Sequence, residues 1–335
     1  MSQRPTIIDV ARVAGVSKTT VSRVVGCKDA PVRTETRQKV LRAIEQLGYE
    51  RNALAGGLRT DRTYTIALFL PDIANPFWPE VARGIQDVLE GEGYAVVLAN
   101  SDWDAKREHK FLAMSRRNRF DGLIINPVSV TNAELVANGI PAIILSLDTD
   151  YPDFDVVGSD SYGGTTLALE HLVGLGHRRV GLISGLSRGS RQPSRLTSYV
   201  DFLQQHHIPV ENELIVKCPY GQEHGWRSMK QLLDLDDPPT AIFAANDILA
   251  IGALQAIRDA GLRVPQDISL VGMDDIYAVS VTTPSLTTVA KEKYELGCQA
   301  ATFLLERIRE AAPERFRRHA LPCRLIQRTS SAPPS

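Results

Sequence analysis

The chain has 335 residues, of which 43% are hydrophobic and 23% charged. That is close to the globular average, leaves room for about two domains at roughly 150 residues each, and argues against a disordered or fibrous protein. No apolar run reaches the ~18 residues needed to span a bilayer, and the opening MSQRPTIIDV has no apolar signal core, so neither a membrane span nor export is expected. The formal charge of −1 hides an asymmetry, because residues 1–62 hold twelve Lys/Arg against six Asp/Glu and the remainder 26 against 33. A small basic head on an acidic body suggests that the head meets a polyanion.

The head reads as three short helices. Ile7, Val10, Ala11 and Ala14 recur with helical spacing, and Gly15 then breaks the pattern as a tight turn requires. Ser17 is placed to accept the first free amides of a second helix, whose buried face is Val21, Val24 and Val25 and whose opposite face is Lys18, Thr19, Ser22 and Arg23. Thr34 is expected to cap a third helix with Val40, Ile44 and Leu47 inward and Gly48 at its end. Three helices with a glycine turn after the first describe a helix-turn-helix domain. Pattern and charge alone fit docking on DNA or on a protein.

The run TIIDVARVAGVSKTTVSRVV at 6–25 carries the core A-x-x-A-G-V-S-x-x-T-V-S-R, followed by Thr36, Arg37, Gly48 and Tyr49. In these residues and spacings it resembles the DNA-binding segment of the LacI/GalR family of bacterial transcriptional repressors. The resemblance implies that Lys18, Thr19 and Arg23 read bases in the major groove while Ser17 and Ser22 help on phosphates. The segment NALAGGLR at 52–59 resembles the family's hinge helix, which implies DNA contacts from Asn52 and a minor-groove wedge in Leu58. Gly26 stands where the family usually has Asn, Arg51 where it has Pro, and Gly56–Gly57 replace better helix formers. Each mid-helix Gly costs roughly 0.5–1 kcal/mol relative to Ala, so the free hinge is expected to be disordered and to order on binding.

From residue 63 onward apolar, β-branched runs alternate with helical patterns. TIALFL (65–70), YAVVLA (94–99), GLIIN (122–126) and AIILS (142–146) form one series; RVGLIS (179–184), ELIVK (213–217), AIFAA (241–245) and ISLVG (268–272) form a second. Continuous apolar strands separated by helices imply parallel sheets covered on both faces. The expected fold is thus α/β: an N-terminal three-helix helix-turn-helix domain (1–50), a hinge (51–62), and a two-lobed, periplasmic-binding-protein-like core of doubly wound parallel sheets (63–330). Residues 63–160 with 291–320 are expected in lobe 1 and 161–290 with 321–330 in lobe 2, the last strand being RLIQRTS (324–330).

In such sheets ligands collect at the carboxyl ends of strands, here in a cleft between lobes. The first strand is followed by PDIANPF, a recurring signature of the family, which puts forward Asp72 and an effector-stacking Phe77. Asn75 and Pro76 read as turn and helix-start chemistry. Asn126, Asp148, Asn246 and Asp274 follow other strands and match effector-contacting positions of the family; amide and carboxylate groups suit hydroxyl recognition. The resemblance places an effector-stacking aromatic at Tyr220 and an effector-binding arginine at Arg195. Arg191 lies one helical turn earlier, in position either to grip a carboxylate or phosphate with Arg195 or to bridge the lobes. Trp226 is expected to pack against its own helix.

The four cysteines, Cys27, Cys218, Cys298 and Cys323, are far apart, which fits reduced thiols in a cytoplasmic protein. No dinucleotide, P-loop, zinc-protease or nucleophile-elbow motif is present. The seven histidines form no ligand set, and Asp274–Asp275 are adjacent on a loop, where carboxylates seldom converge. No catalytic residue, metal or cofactor is therefore expected. The expected function is an effector-gated, sequence-specific transcriptional regulator, most often a repressor. Its partners would be near-palindromic operator DNA and a sugar, sugar acid or sugar phosphate. The tail SSAPPS has no heptad repeat, which favours a homodimer over a tetramer. The alternatives are a sugar-binding protein without DNA function and an enzyme with a DNA-binding head.

Overall fold

The computed structural model describes residues 5–26, 32–49, 62–148, 150–186 and 194–334. The expectations at Cys27, Asn52, Leu58 and Arg191 lie outside the described residues. The chain divides into two compact units, Met1–Tyr64 and Thr65–Ser335.

The first unit holds α1 (Ile7–Ala14), α2 (Lys18–Gly26) and α3 (Thr34–Leu47). A reciprocal cap starts α1: Asp9 accepts a hydrogen bond from the Thr6 amide at 2.9 Å, and the Thr6 hydroxyl accepts one from the Asp9 amide. Gly15 ends the helix at φ +65°, and the Val16 amide reaches back to the Ala11 carbonyl at 3.0 Å. That left-handed residue makes the tight turn into α2. The Ser17 hydroxyl then accepts the Thr20 amide at 3.1 Å. Thr34 does not cap α3. The cap position is Arg33, whose side chain makes no cap bond, and Thr34 is already the first helical residue. Val10, Ala11, Val21, Val24, Val40 and Ala43 are buried together, with Val25, Ile44 and Leu47 at the margin.

The second unit contains two six-stranded sheets of one design. The first is built from β1 (Thr65–Leu70), α4 (Phe77–Gly91), β2 (Ala95–Asn100), α5 (Ala105–Arg117), β3 (Gly122–Ile125), α6 (Asn132–Asn138), β4 (Ala142–Ile144) and β5 (Asp155–Ser159). The second follows with α7 (Ser161–Gly174), β6 (Val180–Gly185), α8 (Ser194–Gln205), β7 (Ile215–Cys218), α9 (Gln222–Leu233), β8 (Ala241–Ala244), α10 (Asp247–Asp259), β9 (Ser269–Asp274), α11 (Tyr277–Val281) and β10 (Thr287–Lys291). The chain then returns through α12 (Lys293–Ile308) and β11 (Arg318–Leu321) to the first sheet and ends in the second with β12 (Cys323–Ile326). The orders are β11-β5-β4-β3-β1-β2 and β12-β10-β9-β8-β6-β7.

Three strands, β5, β10 and β11, were not among those expected from the sequence, the last strand is shorter than 324–330, and the lobe boundaries expected at 291 and 321 each fall one residue later, since Lys291 ends β10 in the second sheet and Leu321 ends β11 in the first. The second sheet is also not wholly parallel, because β12 runs antiparallel to β10. Only Pro322 separates β11 from β12, so the chain runs straight from one sheet into the other without the helical crossover that a parallel neighbour needs. In each lobe two helices approach through a pair of glycines. A Cβ on Gly84 of α4 or Gly297 of α12 would lie 2.1 Å from the facing carbonyl, and Gly225 of α9 and Gly252 of α10 repeat the arrangement.

The fully buried Asp155 holds the returning segment to the first lobe. It accepts hydrogen bonds from Arg307 on α12 (Nε and Nη2, both 2.9 Å) and from Arg317 just before β11 (backbone N 2.7 Å, Nη2 2.8 Å). Burial raises its acidity constant's exponent, but the hydrogen bonds from both arginines outweigh that and hold the carboxyl below its ordinary range. With the folded-state pKa below the unfolded one, this stabilisation is present above the usual aspartate pKa and is lost as pH falls through the lowered value. Asp155→Asn leaves two arginines facing a neutral amide and should cost about 3–5 kcal/mol in urea unfolding at neutral pH, a deficit that narrows in acid. A loss below about 1 kcal/mol would place the joint elsewhere.

Candidate functional site

In the first unit, Ser17, Lys18, Thr19 and Arg23 are exposed and Ser22 is half-buried. Because the valines of α2 face the core, its other face presents one cation at each end of a short polar stripe. The Ser17 hydroxyl is already engaged as the cap of α2, with the Thr20 hydroxyl 2.8 Å away.

The second unit contains a cavity of about 530 Å³ between its sheets, within the size range of small-molecule sites. Its walls come from residues that follow the carboxyl ends of strands in both lobes. From lobe 1 these include Asn75, Phe77, Trp103, Asn126 and Asp148; from lobe 2, Arg195, Tyr220, Asn246, Asp274 and Lys291.

Local structure explains each placement. Asn126 donates from Nδ2 to the Leu145 carbonyl at 2.5 Å. Asp148 accepts the Ser194 amide at 3.3 Å, joining the loop after β4 to the start of α8 in the other lobe. Asn246 caps α10 by accepting the Leu249 amide at 2.9 Å. Phe77 packs edge-on against Trp78, with ring centroids 4.9 Å apart. Asp72 is not among the residues lining the cavity. Its Oδ1 accepts the Ala74 amide at 2.9 Å and turns the loop after β1, while Asn75 both starts α4, by accepting the Phe77 amide at 3.0 Å, and lines the cavity.

Asp274 ends β9 with φ +121°, unusual for a residue with a side chain, and such backbone costs of order 1–3 kcal/mol. Two carbonyls hold the bend: Lys293 Nζ donates to Asp274 O at 2.9 Å and to Asp275 O at 2.8 Å. The two neighbouring carboxylates take different partners, Lys291 for Asp274 (2.9 Å) and Arg328 for Asp275 (2.6 Å). Behind them Asp247 accepts bonds from Thr288 Oγ1 (2.6 Å) and the Ile276 amide (2.9 Å). Burial and the nearby Asp274 carboxylate push the Asp247 carboxyl up to about 7. Burial and the Arg195 guanidinium push the Lys291 ammonium below its ordinary value, against the opposing pull of Asp274.

Sequence reasoning did not single out four participants. Lys291 lies in β10, a strand whose polar sequence TTVAK conceals its burial. Trp103, at φ +61°, crosses from lobe 1 to stack on Tyr220, with ring centroids 5.7 Å apart and planes 27° off parallel. Gly185, at the end of β6, leaves space for the Tyr220 ring. Glu108, buried on α5, accepts the amides of Val128, Ser129 and Val130 at 2.7–2.8 Å and so shapes the loop that lines the cavity beyond β3. The signal for Glu108 is a carboxylate interrupting the inward face of a helix. Trp226 does more than pack its own helix, since its Nε1 donates to Asp259 of α10 at 2.8 Å.

The Trp103–Tyr220 stack ties the lobes together at the cavity, and an aromatic pair contributes about 0.5–1.5 kcal/mol beyond its buried area. Trp103→Ala should accordingly speed amide hydrogen exchange in 101–105 and 219–222 about two- to tenfold. Unchanged exchange in both segments would show that the stack does not hold the lobes.

Comparison with known proteins fits this geometry. Residues 6–52 match the model of bacterial regulatory proteins of the lacI family, and residues 169–331 that of a periplasmic binding protein-like domain. The chain is 34% identical to the HTH-type transcriptional regulator DegA of Bacillus subtilis, over 98% of this chain and 99% of that one. It is 32% identical to the HTH-type transcriptional repressor PurR of Pasteurella multocida, over 92% and 94%. Among solved structures, the lac repressor dimer bound to operator and the anti-inducer ONPF superposes with a TM-score of 0.87 at 30% identity, over 98% of this chain and all of that one. A LacI family regulator from Enterococcus faecium with bound ribose superposes at 0.72 and 31% identity, over 81% of this chain and all of that one. The chain belongs to the LacI family of bacterial transcriptional regulators.

Proposed function

We propose that the chain is a cytoplasmic, sequence-specific transcriptional repressor, without enzymatic activity, whose hold on operator DNA is set by a carbohydrate ligand in the core cavity. Residues 1–50 form the DNA-binding domain, 51–62 the hinge and 63–330 the core, with lobe 1 at 63–160 and 292–321 and lobe 2 at 161–291 and 322–330. Lys18, Thr19 and Arg23 read bases, with Arg23 suited to bidentate contact with guanine. Ser17 and Ser22 contact phosphates, and Asn52 and Leu58 act from the hinge. Two copies pair through their cores and set two α2 helices on a near-palindrome. The observation that carries this reading is the presence in one chain of an exposed Lys18/Thr19/Arg23 face on a helix-turn-helix and a polar–aromatic cavity at strand ends. The lac repressor's operator complex and the ribose-bound regulator support it by likeness.

In the cavity, Asn126, Asp148, Asn246 and Asp274 bind hydroxyls, Phe77 and Tyr220 cover the apolar face of the ring, and Arg195 donates hydrogen bonds, joined by Arg191. Ligand changes the relation of the lobes and shifts operator affinity by as much as its affinities for the two states differ. Selection from a random duplex library, followed by anisotropy titration, tests the DNA function. The log affinity should fall linearly with log salt, with a slope of about −0.9 for each phosphate neutralised. Arg23→Ala should cost about 1–3 kcal/mol and relax preference at one base pair per half-site. Failure to enrich any sequence would favour a sugar-binding protein without DNA function.

A further inference from the structure

Two cations, Arg195 and Lys291, line the cavity with two carboxylates, Asp274 and Asp148. Lys291 is 7% exposed and pairs with Asp274 at 2.9 Å. Arg195 lines the same cavity, near enough to Lys291 for the two like charges to oppose each other. Its guanidinium meets only neutral groups among the described hydrogen bonds, Met273 Sδ and the Tyr220 hydroxyl, both at 3.2 Å. Asp247 lies behind Asp274, bonded to Thr288 and the Ile276 amide, and its carboxyl is pushed up to about 7, so it offsets the cations only in part. Asp148, on the lobe 1 side, accepts the Ser194 amide through Oδ1 and, with Asp274, favours the charged form of Arg195.

Lys291 is buried against Asp274 and Arg195 is half-buried beside it, so both cations gain from a further anion that they can hydrogen-bond. Donors remain to receive it. A lysine ammonium has three N–H bonds, and Lys291 makes an ion pair with Asp274 at 2.9 Å; an arginine has five, of which two meet Met273 and Tyr220.

From this arrangement we propose that the ligand of the cavity is an anionic carbohydrate, a sugar acid or a sugar phosphate, whose anionic group is bound by Arg195 and Lys291 together. The inference rests on the cavity being a carbohydrate site. Lys291 is then the residue that sets the class of sugar, while Asp148, Asn126 and Asn246 take the hydroxyls of the neutral part. Arginine and lysine play distinct parts: the guanidinium fixes the plane of a carboxylate or two phosphate oxygens, and the ammonium adds a compact charge.

Calorimetric titration of the full chain with matched sugars tests the proposal: each hexose beside its aldonate, its uronate and its phosphate. At least one anionic member should bind about tenfold or more tightly than its neutral parent, and its advantage should shrink as salt is raised. The aldonate and uronate arms against the phosphate arm identify which anion is read. Lys291→Gln should bring the anionic sugar to within a few-fold of the neutral one. Because that change also strips Asp274 of its partner, Lys291→Arg is measured beside it and should keep the preference. Neutral sugars binding as tightly as all their anionic partners would overturn the anion subsite and leave the carbohydrate reading standing. Full preference retained in Lys291→Gln would remove Lys291 from the site, and no binding by any member would overturn both readings.

Discussion

A lysine and an aspartate buried side by side at the ends of adjacent strands are the interaction on which the cavity depends. Lys291 closes β10 and Asp274 closes β9, and their 2.9 Å contact forms the floor between the lobes. The same short stretch of chain is the crossing point, because the helix that returns to lobe 1 begins at Lys293. Lys293 in turn bonds the two carbonyls that hold the strained bend at Asp274, and its Nζ lies 3.4 Å from Glu80 of α4 in lobe 1. A change in what occupies the floor therefore acts directly on a segment that belongs to both lobes.

The repeated topology explains why so much chemistry converges there. Each sheet follows the same winding, and loops leaving the carboxyl ends of both sets of strands meet across one cleft. Lobe 1 brings amides and a carboxylate, shaped by the Glu108 carboxylate beneath the loop at 128–130. Lobe 2 brings the two cations Arg195 and Lys291 with the Asp274 carboxylate. The Trp103–Tyr220 stack and the Asp148–Ser194 bond then cross between them. Contacts of this kind, few and peripheral to two large cores, allow a ligand to shift the balance between two arrangements without disturbing either fold.

The fold was legible wherever burial coincided with apolar sequence. Helix faces in the head and strands such as TIALFL and AIFAA advertise themselves, and the left-handed turns at Gly15 and Gly48 follow from the residue that adopts them at least cost. Two of the strands that escaped notice, β5 and β10, carry polar residues buried because they are paired: Asp155 with two arginines, Thr288 with Asp247, Lys291 with Asp274. Sequence patterns read such residues as surface. The same limit governs the site. Strand-end residues such as Asn246 could be found by counting from an apolar run. Lys291 was hidden inside an unrecognised strand, and Trp103 reaches the cavity only through a turn with positive φ. Spacing after β1 also did not tell Asp72, which turns the loop, from Asn75, which lines the cavity.

The central claim is that occupancy of the core cavity controls the grip of the head on DNA. The most direct measurement is operator affinity with and without a saturating cavity ligand, in the wild type and in Asp274→Asn, which touches no DNA. The account predicts a change of tenfold or more in the wild type, about 1.4 kcal/mol of coupling, and little response in the variant. A ligand that binds the wild-type core yet leaves operator affinity unchanged would contradict it.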